Sequence, residues 1–316
     1  MLLLGVEALG GRQRGEGMVT TMKACGVLAL GVAAVVMVSP PAPAQVASPY
    51  GQNIAPSYEG WEKNADGSFT LVFGYFNRNW EERIDLPVGP DNSIEPGGPD
   101  QGQPTHFYPR RNRFVFRVRV PADFGDQELV WTLTSHGKTE RAYATLLSDY
   151  FIDDTVIMNN KGAGGGGGGA HNLEGNTPPV LRVEGDRTRT VAVGEPVSLI
   201  AFASDDGIPK PRTLPPIPGS FRVTPDSASG LRLSWFVYRG AGTTVSFNPP
   251  QTLVWEDFRD GANSAWASGW RAPPVPPDGK WVVSATFSEP GTYALRALAD
   301  DGGLMSHEDV TIVVKP

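Results

Sequence analysis

Two short segments carry the side chains best suited to hold a metal ion: Asp205-Asp206-Gly207 and Asp300-Asp301-Gly302. Hard carboxylate oxygens on separate loops are what Ca²⁺ takes, six to eight of them at about 2.3–2.6 Å. If both segments and Asn176 lie at one end of a sandwich, Asn176, Asp205, Asp206, Asp300 and Asp301 form a candidate structural Ca²⁺ site. Asp and Gly are also the ordinary residues of turns, and a turn needs no metal. A second set is aromatic: Trp255, Trp266 and Trp270, in the Pro-rich stretch Thr252–Trp281, which holds four of the chain's eight Trp. Flat rings exposed on a sandwich stack on sugars; buried, each covers about 150–250 Å² of an irregular loop. A third set, Asn77, Arg78, Asn79 and Trp80 with His106, Tyr108, Arg110 and Arg111, offers a polar-aromatic recognition surface. The same side chains could instead cap orphan backbone groups of a long loop and anchor it.

Catalytic patterns are weaker. Lys161 precedes the glycine run 164–169 and no Lys-Ser/Thr follows it, so the run is not a phosphate-binding loop. The four His (106, 136, 171 and 307) show no metal-ligand spacing. No Gly-x-Ser-x-Gly elbow presents a serine nucleophile. Paired carboxylates for glycoside hydrolysis are decided by separation in space, so that reading stays open.

The ends and composition place these groups. Lys23, the apolar run Ala24–Val38 and the small-residue end at Ala44 make a secretory signal region over residues 1–44. Cleavage is expected after Ala44, with Met18 or Met22 as alternative starts and 45–57 as a mature N-terminal tail. The run is too short for a bilayer, which needs about 20 apolar residues, so no transmembrane segment is expected in the mature chain. Cys25, the only cysteine, goes with the signal, leaving no disulfide and no thiol ligand. The mature chain keeps 24 of 27 basic and 32 of 34 acidic residues, a net charge of −8, which argues against nucleic acid as partner.

With 38 Gly, 29 Pro and little helical periodicity, the class reads as all-β: two immunoglobulin-like β-sandwich modules joined by a Gly-rich linker. The boundaries are 58–159, a linker over 160–175, and 176–316. A tether of that composition spans roughly 20–25 Å and lets two modules reorient. In the first module, Asp66-Gly67 and His136-Gly137 mark hairpins, and Phe114, Phe116, Val118 and Val120 read as one buried strand face. Pro87–Arg113 reads as a long functional loop. The second module carries eight short β-rich runs, with Trp235 placed as a core Trp and Tyr293 as a tyrosine corner.

Asn176-Thr-Pro-Pro179, Val193–Leu199, Ala203–Gly207, Pro290–Gly302 and Val310–Val314 resemble the edges of a PKD or cadherin-like immunoglobulin-fold repeat. The first module resembles segments of uncharacterised secreted bacterial proteins, which implies no activity. The resemblance implies a sandwich and, since some PKD-like modules bind calcium at similar places, the Asn176–Asp301 set as its ligands. The sequence reading is an exported, periplasmic or secreted, non-catalytic binding or structural protein with an envelope protein or polysaccharide as partner. Its alternatives are a carbohydrate-binding protein using loop 252–281 and, third, a hydrolase with an unrecognised site in the first module.

Overall fold

The computed structural model describes residues 48–163, 173–214 and 226–316. The signal region and the six consecutive glycines lie outside the described residues.

Strands β1 (Ile54–Lys63) and β2 (Phe69–Asn77) form the Asp-Gly hairpin, and β6 (Arg110–Val120) pairs with β2. Two short strands, β3 (Ile84–Asp85) and β5 (His106–Phe107), pair beside them. The opposing sheet is β4 (Asn92–Glu95), β7 (Leu129–Ser135) and β8 (Lys138–Ala144). Alternation of apolar and polar residues along β7 turns Leu129, Trp131 and Leu133 inward, where they meet Leu71, Phe73 and Phe116 in one core. β4 lies inside the stretch Pro87–Arg113, so that segment is partly sheet.

The face assigned to Phe114 needs correction. Phe73 pairs with Phe116 but Tyr75 pairs with Asn112, so Arg113, Phe114 and Val115 bulge out opposite the single residue Gly74. A Cβ at Gly74 would collide with Glu59 and the Asn112 carbonyl, so only glycine fits there. Phe114 adopts φ +53° and points away from Phe116, Val118 and Val120, into a separate apolar cluster with Val72, Ile157, Met158 and Leu304. Ile157 and Met158 come from the short helix α1 (Asp154–Asn160), whose first turn is capped by Asp153 accepting from Val156 N–H at 2.9 Å.

The second sandwich has one sheet of β9 (Val180–Val183), β11 (Val197–Ser204), β14 (Lys280–Phe287) and β13 (Val245–Asn248). The other holds β10 (Thr188–Ala192), β16 (Met305–Lys315), β15 (Gly291–Asp300) and β12 (Arg232–Arg239), with β10 parallel to β16. Trp235, Leu199, Val283 and Ile312 fill the space between the sheets. Tyr293 closes the sandwich as a tyrosine corner, its hydroxyl donating to the Glu289 carbonyl at 3.0 Å. Both sandwiches are immunoglobulin-like all-β layers.

Candidate functional site

In the sheet β10-β16-β15-β12, β12 and much of β15 are buried on both sides. Leu233, Trp235 and Val237 face its own core, yet Arg232, Ser234 and Tyr238, on the opposite side of β12, are only 3–4% exposed. On β15 the outward Arg296 and Asp300 are each 6% exposed. The first sandwich covers this face at Phe236, Tyr238 and Arg296, and loop 252–281 lies over Arg232 and Ser234. Tyr238 belongs to the core cluster of Phe73, Phe107 and Trp131, with Phe236 packed against it. The two halves are therefore docked in the structure, where the glycine run had suggested modules free to reorient.

The seam is built from named partners. Along the exposed edge of β12, Thr105 N–H donates to the Tyr238 carbonyl at 3.2 Å, and Val237 N–H donates to the Tyr108 hydroxyl at 3.0 Å. Arg239 holds the Asp100 carboxylate and the Gln103 carbonyl, and the Tyr238 hydroxyl donates to the Gly102 carbonyl. An open strand edge is a liability that a covering loop removes, and Asp100–Tyr108 is that cover. Below it, Arg296 donates to the Val115 carbonyl at 2.7 Å while paired with Asp309 at 2.7 Å. The bulge at Arg113–Val115 is what brings that carbonyl outward. Burial opposes the Arg296 charge, but Asp309 and Tyr238 hold its pKa above the usual value.

The two aromatic candidate sets meet each other here. Trp255 stacks on Tyr108 with ring centroids 5.0 Å apart, and Arg113 pairs with Glu256 at 2.6 Å. Trp80 lies between Arg110 and Arg259, with their guanidinium carbons 4.1 and 5.6 Å from its ring. Trp255, Trp266, Tyr108 and His106 are all buried, and Trp270 is half-buried with its indole N–H on Asn263. Of the two readings of loop 252–281, the burial of Trp255 and Trp266 favours internal packing over the alternative sugar platform. His106 Nδ1 engages Asp85 at 2.6 Å, while its Nε2 has no partner.

The five candidate calcium ligands do not come together as one coordination set. Asp205 and Asp206 form turns, accepting from Gly207 and Ile208 N–H at 2.8 Å, and Asp206 also holds Thr177 at 2.7 Å. Hydrogen bonds from Thr177 keep Asp206 below the usual carboxylate range, while burial pushes Asp205 up. Asp300 turns the other way, 2.9 Å from Lys161 Nζ and 3.0 Å from Arg232. Burial opposes its charge, but those two cations win and hold its pKa low. Asn176 and Asp301 both border Gly303, and Asp301 Oδ1 caps Leu304 N–H at 2.7 Å. Burial, reinforced by Asp300, pushes Asp301 up to about 6. Among the described residues no group of three or more His, Cys, Asp or Glu is placed to hold a metal ion. The residues do not fit a shared Ca²⁺, because the internal cations Lys161 and Arg232 already occupy Asp300.

Lys161, Arg232, Arg296 and Glu256 were absent from the sequence-based sets. The available signal was β12 itself, apolar on both faces at Trp235–Tyr238, a pattern that marks a sheet covered twice. Among the described residues no helix is long and apolar enough to cross a membrane.

No family model and no curated protein matches the chain. Among solved structures it is similar to domains 4 and 5 of the S-layer protein SbsC, at 11% identity and TM-score 0.22, covering 60% of this chain and 66% of that one. It is similar to immunoglobulin domains 1–4 of Sidekick-1 at 12% identity and TM-score 0.22, covering 83% and 48%. The adhesin InvE of Yersinia pseudotuberculosis aligns at 11% identity and TM-score 0.21, covering 85% and 61%. The chain thus spans less than two thirds of the length of each of these structures. Likenesses at this level say nothing about activity, ligand or partner.

Proposed function

We propose that this chain is an exported, non-catalytic building block of the cell envelope or extracellular space, a stiff pair of sandwiches that binds or spaces other envelope components. The doubly covered sheet carries this reading. Tyr238 and Arg296 give one sandwich a fixed seat on the other, with Asp300 holding Lys161, a use of polar and aromatic side chains that serves shape. The PKD or cadherin-like character of the second sandwich is part of the proposal, resting on the residues at its edges. An envelope protein or polysaccharide is the expected partner, met by the outward strands that the seam leaves free. The test is fractionation of cells making the native protein, with N-terminal sequencing. Recovery outside the cytoplasm with an N-terminus at or near Gln45 supports the reading; cytoplasmic retention with residues 1–44 intact overturns the export it requires.

A further inference from the structure

Behind the seam lies a cavity of about 60 Å³, lined from the first half by Arg113 and Lys161 and from the second by Glu256, Trp266, Arg296 and Asp300. A buried water needs about 10–15 Å³, so the space holds several waters or one compact ligand. Three of its lining side chains, His106, Lys161 and Trp266, are over nine-tenths buried and carry a nitrogen without a hydrogen-bond partner. The Trp266 indole N–H has no partner, and Lys161 Nζ, 3% exposed overall, makes no well-aligned hydrogen bond beyond its ion pair with Asp300. Leaving such donors dry costs the desolvation of a polar group with nothing in return. Trp266 and Asp300 also line an adjoining small cavity with Arg232, so the unspent donors and both cations on Asp300 share one neighbourhood.

The unspent donors on Lys161 and Trp266 favour a ligand that accepts at two points. Asp300 is already held by Lys161, Arg232 and the Gly302 N–H, and Glu256 by Arg113. We propose that this cavity is a binding site for a small oxyanion or carboxylate, seated on Lys161 Nζ and the Trp266 indole N–H, with Arg113 and Arg296 supplying positive charge around it. Pockets between packed modules are common places for such ligands. A bound anion would cross-link the halves, since Lys161 precedes the glycine run and Trp266 belongs to loop 252–281.

The experiment is a melting series on the full chain with formate, acetate, sulfate and phosphate, each against chloride at equal ionic strength. A saturable rise in Tm with one of them is expected, because a ligand that binds only the folded state stabilises it by mass action. The carboxylate and inorganic arms identify which chemistry fits. Trp266→Phe, which removes only the N–H and about keeps the shape, should weaken that anion about tenfold. Lys161→Met should abolish its effect, and Trp266→Phe carries the test if the Lys161 variant does not fold. No rise beyond chloride, or equal rises in wild type and Trp266→Phe, would overturn the site and leave the cavity to water.

Discussion

The two sheets of the second sandwich share one core and differ in what lies outside it. Along β11 the outward residues alternate with buried ones and meet water, and on β14 Val282 is 54% exposed. Along β12 nearly every residue is buried, because the outward Tyr238 sits under the first sandwich and the outward Arg232 and Ser234 under loop 252–281. A sheet wet on one face is complete as an independent module; a sheet covered on both is a fragment of something larger. The covered sheet explains why polar side chains that look like a recognition site need not meet a foreign ligand. Trp80, Tyr108 and Trp255 have found partners within the chain.

The largest expected effect separates these sheets directly. Tyr238→Ala removes a ring buried in the first sandwich's core and should cost about 3–5 kcal/mol by denaturant unfolding. Val282→Ala on the wet face should stay within about 0.5 kcal/mol. Similar costs for both would mean that the face of β12 is not covered.

A smaller effect comes from Asp301, at the pole beside the seam. Its folded pKa of about 6 lies above its unfolded value near 3.8, so it contributes stability that is present below pH 3.8 and lost as pH rises through 6. Asp301→Asn should remove that slope between pH 4 and 6, and at pH 7 raise stability by up to about 3 kcal/mol. Unfolding curves that keep the wild-type pH slope in the variant would show that Asp301 is not the buried charge.

The smallest effect is expected from calcium. Because Lys161 and Arg232 hold Asp300 and the other candidate ligands are dispersed, melting of the full chain in millimolar Ca²⁺ should match that in EGTA. A specific rise with Ca²⁺, not reproduced by Mg²⁺, would restore the metal site.

The strands were legible in the sequence because period-two alternation and Gly-marked turns are local. The core Trp235 and the Tyr293 corner were read from such local patterns and lie where those patterns put them. Phe114 was misplaced because a bulge opposite Gly74 breaks the alternation, and nothing in the run from Phe114 to Val120 signals it. The seam was not legible because its contacts join residues more than a hundred positions apart: Tyr108 with Val237, Val115 with Arg296, Lys161 with Asp300. Composition drew attention to the same side chains, Trp255 and Tyr108 among them, but not to the fact that they face one another. The glycine run drew the eye to separation, and linker composition alone sets reach, not whether the halves dock.

The central claim is that the covered face of β12 and β15 holds the two halves together without the linker. A specific protease site placed within residues 164–170, cleaved in the folded full chain, tests it most directly by size-exclusion chromatography under native conditions. The account predicts that the two fragments co-elute at the volume of the uncut protein and part only when denaturant unfolds them. Two folded fragments that separate on the column as soon as the site is cut would contradict it.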